Sequence, residues 1–272
     1  MSLSGKKLPG KTLRRAATAA LTSLVILSQP AIATAAEIKV AAGAGIRAVL
    51  EALAPEFERS TGHKLVIRYG SGGDVRTWVN SENPDVAIVV RPVFDDLVKQ
   101  GKIESASAVN IARTFIGIAV RTDTPKPEIG SVDAVNRLLL SAKTIAYPDP
   151  ASGSASAAHF IKVLDRLGLT EAVRSKTKLV PGPNIAAKLP VLVAQGEAEI
   201  AVSQLSELMP HSKIGIEIVG PMPPELQDVG AFTIAAGIVR EAREPEAGQA
   251  LIKFISAPSV SVILKAKGME PG

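Results

Sequence analysis

The sequence of 272 residues contains no cysteine and few aromatic residues: one tryptophan, two tyrosines and six phenylalanines. Without cysteine, no disulfide framework stabilises the fold and no thiol is present to carry a lipid anchor. The small number of aromatic side chains argues against a base-stacking surface for single-stranded nucleic acid. We therefore expect a protein that depends on its hydrophobic core and does not bind nucleic acid.

An excess of positive charge is also absent once the first 36 residues are set aside. Five basic residues in that segment account for the whole formal charge of +5: Lys6, Lys7, Lys11, Arg14 and Arg15. From Glu37 onward, 26 acidic residues are balanced by the same number of basic ones. The high isoelectric point is therefore a property of the N-terminal segment and does not indicate a nucleic-acid surface.

Residues 1–36 are typical of a secretory signal peptide. The basic stretch precedes an apolar run at residues 16–27, and A-x-A sites ending at Ala33 or Ala35 follow Pro30. The apolar run is shorter than the roughly 20 residues that a membrane-spanning helix needs. We expect export to the periplasm, and we favour ordinary secretion over the twin-arginine route. The mature protein is expected to be soluble and not a lipoprotein.

Strand-like and helix-like segments alternate along the rest of the chain. Strands are predicted at residues 38–42, 65–69, 85–90, 114–120, 144–147, 199–203, 214–219 and 232–239. Helices are predicted at residues 46–59, 74–80, 94–100, 133–140, 155–167, 184–195 and 245–267. This order predicts an α/β fold with mostly parallel sheets and flanking helices. The length favours two lobes, residues 37–119 with 220–272 and residues 120–219, joined by two crossing strands.

A glycine-rich turn, Gly70-Ser71-Gly72-Gly73, follows the second predicted strand, and Asp74 is the predicted N-cap of the next helix. Glycines permit positive φ angles and close approach, and backbone N–H groups in such turns hold anions. The turn lacks the spacing of a dinucleotide site, and no Walker lysine follows it. An anion site and an ordinary tight turn are both compatible with this segment.

Other candidates follow the ends of predicted strands, where ligands bind in parallel α/β sheets. They are Gly43-Ala44-Gly45, Arg91, and the serines Ser152 and Ser154. Of these, Arg91 is the sharpest, since a guanidinium in a cleft can bind a carboxylate through two hydrogen bonds. By contrast, Arg47 and Arg76 fall within predicted helices and are interpreted as solvated side chains.

An enzyme is not the favoured hypothesis. The three histidines, His63, His159 and His211, are scattered and form no metal-binding spacing. We therefore expect no catalytic residue and no cofactor. An alternative from another class is a secreted α/β serine hydrolase that uses Ser71 or Ser154 with a nearby histidine. A ligand sensor built on a binding fold is a further alternative.

Several segments resemble periplasmic solute-binding proteins of ABC importers: "AAGAGIRAVLEALAPEFERSTG", "YGSGGDVRTWV", "NPDVAIVV", "YPDPASGSASAAHFIKVLDRLGL" and "VAQGEAEIAVSQLSEL". The order is most similar to the molybdate-binding-protein-like branch of the type 2 periplasmic binding fold. The resemblance implies two α/β lobes joined by two crossing strands, which close on a small anion. It also implies a monomer that docks transiently on an ABC permease in the inner membrane.

This chain departs from the family pattern in the binding turns. Gly45 and Gly72 stand where the family has serines, Gln204 falls near a family tyrosine, and Arg91 adds a cation. Either a molybdate-like oxyanion or an organic carboxylate is therefore expected as the ligand. The expected ligand-binding residues are Gly43, Ala44, Gly45, Ser71, Gly72, Gly73, Asp74, Arg91, Ser152, Ser154, Asn184 and Gln204.

Overall fold

The structure is a computed structural model that describes residues 35–182 and 184–272. Residues 1–34, which hold nearly all of the predicted signal peptide, lie outside the described residues. The described part of the chain forms eleven strands and ten α-helices. The strands are β1 (Glu37–Gly43), β2 (Lys64–Gly70), β3 (Val86–Val90), β4 (Val109–Thr114), β5 (Ile116–Arg121), β6 (Ile145–Pro148), β7 (Thr177–Val180), β8 (Ile200–Gln204), β9 (Ile216–Pro221), β10 (Thr233–Ile238) and β11 (Met269–Pro271).

The helices are α1 (Arg47–Thr61), α2 (Gly72–Ser81), α3 (Arg91–Lys99), α4 (Val132–Ser141), α5 (Ala155–Leu167), α6 (Thr170–Arg174), α7 (Ile185–Ala194), α8 (Leu205–Leu208), α9 (Pro245–Ile255) and α10 (Ser261–Ala266). Most predicted segments agree with these bounds to within two residues. Among the described residues, no single helix is long and apolar enough to span a membrane, and only the pair α9 and Pro258–Ala266, bent by 53°, passes that test together.

The strands form two sheets, in the orders β2-β1-β3-β10-β4-β11 and β7-β6-β8-β5-β9. In the first sheet β1 is parallel to β2 and β3, whereas β10 and β11 pair antiparallel with their neighbours. In the second sheet β6 is parallel to β7 and β8, whereas β5 is antiparallel to β8 and β9. The α/β fold is confirmed, but the sheets are mixed and not mostly parallel. Helical crossovers make neighbouring strands parallel, whereas the strands that connect the two sheets enter in the opposite direction.

The chain changes sheet at Phe115 and again between Pro221 and Thr233. The strand predicted at residues 114–120 corresponds to β5, whereas β4, which precedes it in the other sheet, was not predicted apart from its last residue, Thr114. The lobe boundaries near residues 120 and 219 stay a prediction.

Each sheet has its own hydrophobic core. The first core packs the fully buried strand β3 against the apolar stripe of α1 that includes Leu53 and Phe57. The second sheet is covered on both faces, since alternate residues of β5 enter different clusters: Ile118 and Val120 pack with Phe160, and Ala119 packs with Leu189. These separate cores hold two rigid sheets whose strand ends meet at the cavities described next.

Helix α2 begins two residues earlier than predicted, and its N-cap is Ser71 and not Asp74. The Ser71 Oγ accepts from the Asp74 N–H at 3.1 Å, while Asp74 Oδ2 accepts from the Ser71 N–H at 2.8 Å. This reciprocal pair is a capping box, with Asp74 in the first turn of the helix.

The glycines of the turn allow neighbouring side chains to pack closely against the backbone; they are not needed for positive φ angles. None of Gly70, Gly72 and Gly73 has a positive φ angle. A Cβ at Gly70 would lie 2.6 Å from the Trp78 ring, and a Cβ at Gly72 would lie 2.9 Å from Val93 Cγ2. Larger residues are excluded here because neighbouring side chains occupy the space.

Candidate functional site

Two adjoining cavities lie between the loops of the two sheets. The smaller one, of about 40 Å³, is lined by Gly43, Ala44, Gly45, Ile46, Gly70, Ser71, Gly72, Ile88, Val89, Val90, Ser154, Ala155, Gln204, Glu207 and Ile234. The larger one, of about 130 Å³, is lined by Ala44, Arg47, Tyr69, Gly70, Ser71, Asp74, Trp78, Pro148, Ser154, Gly182, Asn184, Ile185, Ala186 and Glu207. They share Ala44, Gly70, Ser71, Ser154 and Glu207. We call the two together the cleft.

The cleft lies at the carboxyl ends of strands from both sheets, as expected for α/β proteins. From the first sheet come the ends of β1 and β2 with the starts of α1 and α2. From the second come Ser154 and Asn184, the residues that precede α5 and α7, and the segment where β8 passes into α8. Nine of the predicted ligand-binding residues line it: Gly43, Ala44, Gly45, Ser71, Gly72, Asp74, Ser154, Asn184 and Gln204.

The start of α2 offers fewer free donors than the sequence predicts. The capping box consumes the N–H groups of Ser71 and Asp74, so neither is available to a ligand. Within the described residues, the N–H of Gly72 has no hydrogen-bond acceptor, and Gly72 lines the smaller cavity. The unpaired N–H groups and dipole of a ten-residue helix favour an anion at this point.

Gly73 and Ser152 lie beside the cleft and do not line it. A Cβ at Gly73 would be 3.3 Å from the Ser152 carbonyl oxygen, and a Cβ at Gly153 would be 3.0 Å from the Gly73 nitrogen. The Ser152 hydroxyl donates to the Asp149 carbonyl at 2.6 Å. These residues form a direct backbone contact between the segments that follow β2 and β6.

The cation in the cleft is Arg47 and not Arg91. The Arg91 guanidinium lies 2.9 Å from Asp95 Oδ1, one turn further along α3, and Arg91 lines neither cavity. Both arginines begin a helix and have a carboxylate four residues later, Asp95 for Arg91 and Glu51 for Arg47. They differ in their surroundings, because the Arg47 guanidinium also lies over the Tyr69 ring of the neighbouring strand β2.

Arg47 is the first residue of α1 and lines the larger cavity. Its guanidinium carbon lies 4.6 Å from the centre of the Tyr69 ring, and its Nε lies 3.2 Å from Glu51 Oε1 without an aligned hydrogen bond. Burial raises the pKa of the Tyr69 hydroxyl to about 12, so it stays a hydrogen-bond donor at neutral pH. The cation and the hydroxyl are two groups that can bind one carboxylate.

Glu207 on α8 lines both cavities and was not predicted from the sequence. Burial raises the pKa of its carboxyl above the ordinary value, and a hydrogen bond from Ser203 at 2.5 Å opposes this effect in part. The Gln204 Nε2 donates to Glu207 Oε1 at 3.3 Å. The only sequence signal for Glu207 is its position three residues after Gln204. This signal is not specific, because acidic residues are common near the starts of helices.

Three serine hydroxyls link Glu207 to another point on the cleft wall. Ser154 Oγ lies 3.0 Å from Ser156 Oγ, which lies 3.3 Å from Ser203 Oγ, the donor to Glu207. Ser156 and Ser203 are 0% and 1% exposed, so this chain runs through the interior. Sequence patterns did not reveal it, because Ser154 precedes α5, Ser156 lies in α5 and Ser203 lies in β8, far away in the sequence.

The serine-hydrolase alternative does not fit this geometry. Ser71 bonds to Asp74, and Ser154 lies against Ser156. His159 Nε2 lies 2.7 Å from the Leu226 carbonyl oxygen. In the part of the chain that the structure describes, no histidine lines the cleft and no group of acidic, histidine or cysteine side chains could hold a metal ion.

Comparison with known proteins gives a consistent result. A sequence profile of the family described as bacterial extracellular solute-binding protein matches residues 38–270. An aconitate isomerase of a Pseudomonas species is 31% identical over 266 residues, covering 94% of this chain and 97% of that protein. The molybdate-binding protein ModA of Azotobacter vinelandii is 29% identical over 245 residues, covering 87% of this chain and 90% of that protein.

A solved structure shows the same fold. The periplasmic molybdate-binding protein of Azotobacter vinelandii superposes with a TM-score of 0.69 at 20% identity, covering 86% of this chain and 99% of that chain. The predicted two-lobed, type 2 periplasmic binding fold is therefore confirmed, as is the resemblance to the molybdate-binding-protein-like branch. The family profile extends over nearly all of the described residues, and the chain belongs to the bacterial extracellular solute-binding proteins.

Proposed function

We propose that this protein is the periplasmic solute-binding component of an ABC importer and holds a small organic carboxylate in the cleft. The observation that carries the proposal is Arg47, which lies over Tyr69 beside the start of α2 in a cavity between the two sheets. A guanidinium, a phenolic hydroxyl and free N–H groups together suit a planar carboxylate.

Three observations favour a carboxylate over a compact oxyanion. The larger cavity includes the apolar faces of Tyr69 and Trp78, which match carbon atoms better than the oxygens of molybdate. A Cβ at Gly45 would lie 2.9 Å from Gln204 Oε1, so the glutamine occupies the space that a serine would need. The relative with 31% identity is named for aconitate, a tricarboxylate.

The proposed ligand-binding residues are those that the cleft brings together. Arg47 and Tyr69 bind a carboxylate, and Gly72 supplies a backbone donor. Ser154 and Asn184 contact the ligand from the second sheet. Arg91 is not part of this site, whereas Gly73 and Ser152 contribute to closure. Export by the signal peptide, a soluble monomer and transient docking on the permease belong to the same proposal.

Calorimetry with purified protein tests the proposal against cis-aconitate, trans-aconitate, citrate, molybdate, tungstate and sulfate. We expect at least one tricarboxylate to bind, and ligand at 100 times its dissociation constant to stabilise the fold by about 2.7 kcal/mol. Arg47→Ala should weaken this binding about 10- to 100-fold, because a hydrogen bond to a charged group contributes about 1.5–3 kcal/mol.

Arg76→Ala is the matched control. Arg76 is also a helical arginine paired with an acid, and 42% of its side chain is exposed, close to 40% for Arg47, but it lines neither cavity. The affinity of Arg76→Ala for the tricarboxylate should equal that of the wild type. Binding of oxyanions alone, or equal losses in both variants, would reject the carboxylate site.

A second candidate function is isomerisation of an unsaturated tricarboxylate in the same cleft. Glu207 favours it, since a carboxyl with a raised pKa on the wall of a binding cleft is equipped to exchange protons. The relative named aconitate isomerase supports the same candidate. Incubation with pure cis-aconitate or trans-aconitate and separation of the two isomers tests it directly.

A further inference from the structure

Glu207 is out of place in a cleft that only binds anions. An ionised carboxylate repels an anionic ligand, and an anion site is served better by an amide or a hydroxyl at this position. The structure nevertheless places Glu207 on the wall shared by both cavities. A group of this kind suits a proton transfer more than electrostatic binding.

We propose that Glu207 is a proton-transfer group for an unsaturated carboxylic acid bound in the cleft, which rests on the second candidate function above. Its carboxylate removes a proton from a carbon beside the double bond, so that a C–H bond breaks and an O–H bond forms. The electron pair moves into a new C=C bond, and the former double bond leaves charge on its far carbon. While it is on Glu207, this hydrogen exchanges with solvent through the chain of serine hydroxyls that leads to the cleft wall. The O–H bond of Glu207 then breaks as a solvent-derived proton passes to that carbon, and no oxidant or reductant is needed.

The hydroxyl chain prepares Glu207 for both protonation states. Ser203 donates to the carboxylate at 2.5 Å, and Ser156 extends the chain to Ser154 on the cleft wall. Each hydroxyl is both a donor and an acceptor, so the chain can reverse its direction when Glu207 gains a proton. Ser203 is therefore a positioning residue that stabilises the ionised form of the base.

The opposite wall can hold the charge that the transfer creates. Arg47 and the hydroxyl of Tyr69 share the larger cavity with Glu207. When Arg47 and Tyr69 bind the carboxylate group of the substrate, they stabilise the delocalised carbanion that forms as the proton leaves. Asp74 is the remaining charged group on this wall, and it is held by the N–H and hydroxyl of Ser71.

Elements packed around α8 bring no competing base to Glu207. They are α7, β5, β8, β9, Ala44–Ile46 and the short helix Met209–Ile214. The charged or titratable residues on them are Arg121, Lys188, His211, Lys213 and Glu217, and none is bonded to Glu207 in the described part of the chain. Burial lowers the pKa of His211, and His211 lines neither cavity.

The test is hydrogen exchange in D₂O, with cis-aconitate as the probe and NMR as the readout. The wild type should exchange the allylic hydrogens for deuterium and form trans-aconitate. Glu207→Gln preserves the size of the side chain, and its affinity should equal or exceed that of the wild type, because an amide does not repel an anionic ligand. Its exchange should be at least about 100-fold slower, the lower range for general acid–base catalysis.

Two further variants separate the role of Glu207 from a structural effect. Glu56→Gln changes an exposed glutamate on α1 and should leave exchange unchanged. Ser203→Ala removes the hydrogen bond that lowers the pKa of Glu207, so the exchange rate should rise only at higher pH than in the wild type. Thermal unfolding of every variant verifies that it is folded.

The outcomes distinguish this inference from the binding function. Exchange by Glu207→Gln at the wild-type rate overturns the role of Glu207. Tight binding by the wild type without any exchange overturns the inference and leaves the solute-binding function intact. Absence of any tricarboxylate binding by the wild type overturns both.

Discussion

Among single residues, Glu207 has the clearest consequence for folding stability. Its ordinary pKa is 4.5, and burial raises the pKa in the folded protein. At pH values between the ordinary pKa and the raised pKa of the folded state, the Glu207 carboxyl is protonated in the folded chain and ionised in the unfolded chain. The stability that this proton provides is therefore complete below about pH 4.5 and is lost as the pH rises through the folded-state pKa.

We predict that the free energy of unfolding of the wild type, relative to Glu207→Gln, decreases as the pH rises through this window. The slope is at most about 1.4 kcal/mol per pH unit for one proton. Urea unfolding of both proteins between about pH 4 and about pH 8 measures the difference, in which the other titrating groups cancel. A difference that is constant over this range would show that the carboxyl is not perturbed.

Arg47 and Arg91 illustrate what sequence leaves open at the residue scale. Both follow strands of the first sheet, and the sequence favours Arg91 as the cation of the site because Arg91 directly follows an apolar run. The structure draws Arg91 to Asp95 and places Arg47 over Tyr69. The partner of a long, flexible side chain depends on which helix start and which neighbouring strand surround it, and neither is visible in a local pattern.

We therefore predict that Arg91→Ala retains the affinity of the wild type for its carboxylate ligand. Its guanidinium is paired within α3 and lines neither cavity, so removal affects only an i,i+4 ion pair of about 0.3–0.5 kcal/mol. The calorimetric titration used for Arg47→Ala provides the comparison. A large loss of affinity in Arg91→Ala would mean that Arg91, at the end of β3, supplies the cation of the site.

At the scale of elements, local patterns were sufficient wherever a segment is amphipathic and capped. Helix α5 has the predicted bounds, with Ser154 before it and Gly168 after it. Strand pairing was less accessible, because parallel and antiparallel neighbours depend on contacts far apart in sequence. The glycine turn was located correctly but misread in detail: its glycines make room for Trp78 and Val93 and do not adopt positive φ angles.

Helix α2 supplies a test in which stability and affinity change in opposite directions. Alanine is about 1 kcal/mol more favourable than glycine in a helix, so Gly73→Ala should stabilise α2. Its Cβ would lie 3.3 Å from the Ser152 carbonyl oxygen, so the same change should weaken the contact with the second sheet and reduce ligand affinity. Calorimetry and urea unfolding measure the two effects.

Asn80→Ala is the matched control for that experiment. Asn80 is exposed on the same helix, so alanine should stabilise α2 there without touching the second sheet. Equal affinities of Gly73→Ala, Asn80→Ala and the wild type would mean that the contact at Gly73 has no part in binding.

For the whole molecule, the two sheets with separate cores are joined where the chain passes through Phe115 and through residues 222–232. Non-covalent contacts also join them: Ala44–Ile46 packs against α8, and the backbone of Gly72 and Gly73 meets Ser152 and Gly153 beside the cleft. We infer that the sheets move as two bodies, and that the contact beside the cleft forms when a ligand closes the cleft.

The absence of cysteine makes this closure directly measurable. Cβ atoms at Gly73 and Gly153 would lie 3.3 Å from the Ser152 carbonyl oxygen and 3.0 Å from the Gly73 nitrogen, so cysteines at the contact would themselves hold it apart. We therefore place one cysteine on each side of the contact, Asn80→Cys on α2 and Ala151→Cys next to Ser152, both at exposed positions that can carry a spin label.

The ligand should shorten the distance between the two labels, because it increases the population of the closed state. Pulsed electron resonance with and without a tricarboxylate measures the distance, and each singly labelled variant shows the background. The same distance with and without ligand would mean that the sheets are already held together, and that binding does not close the cleft.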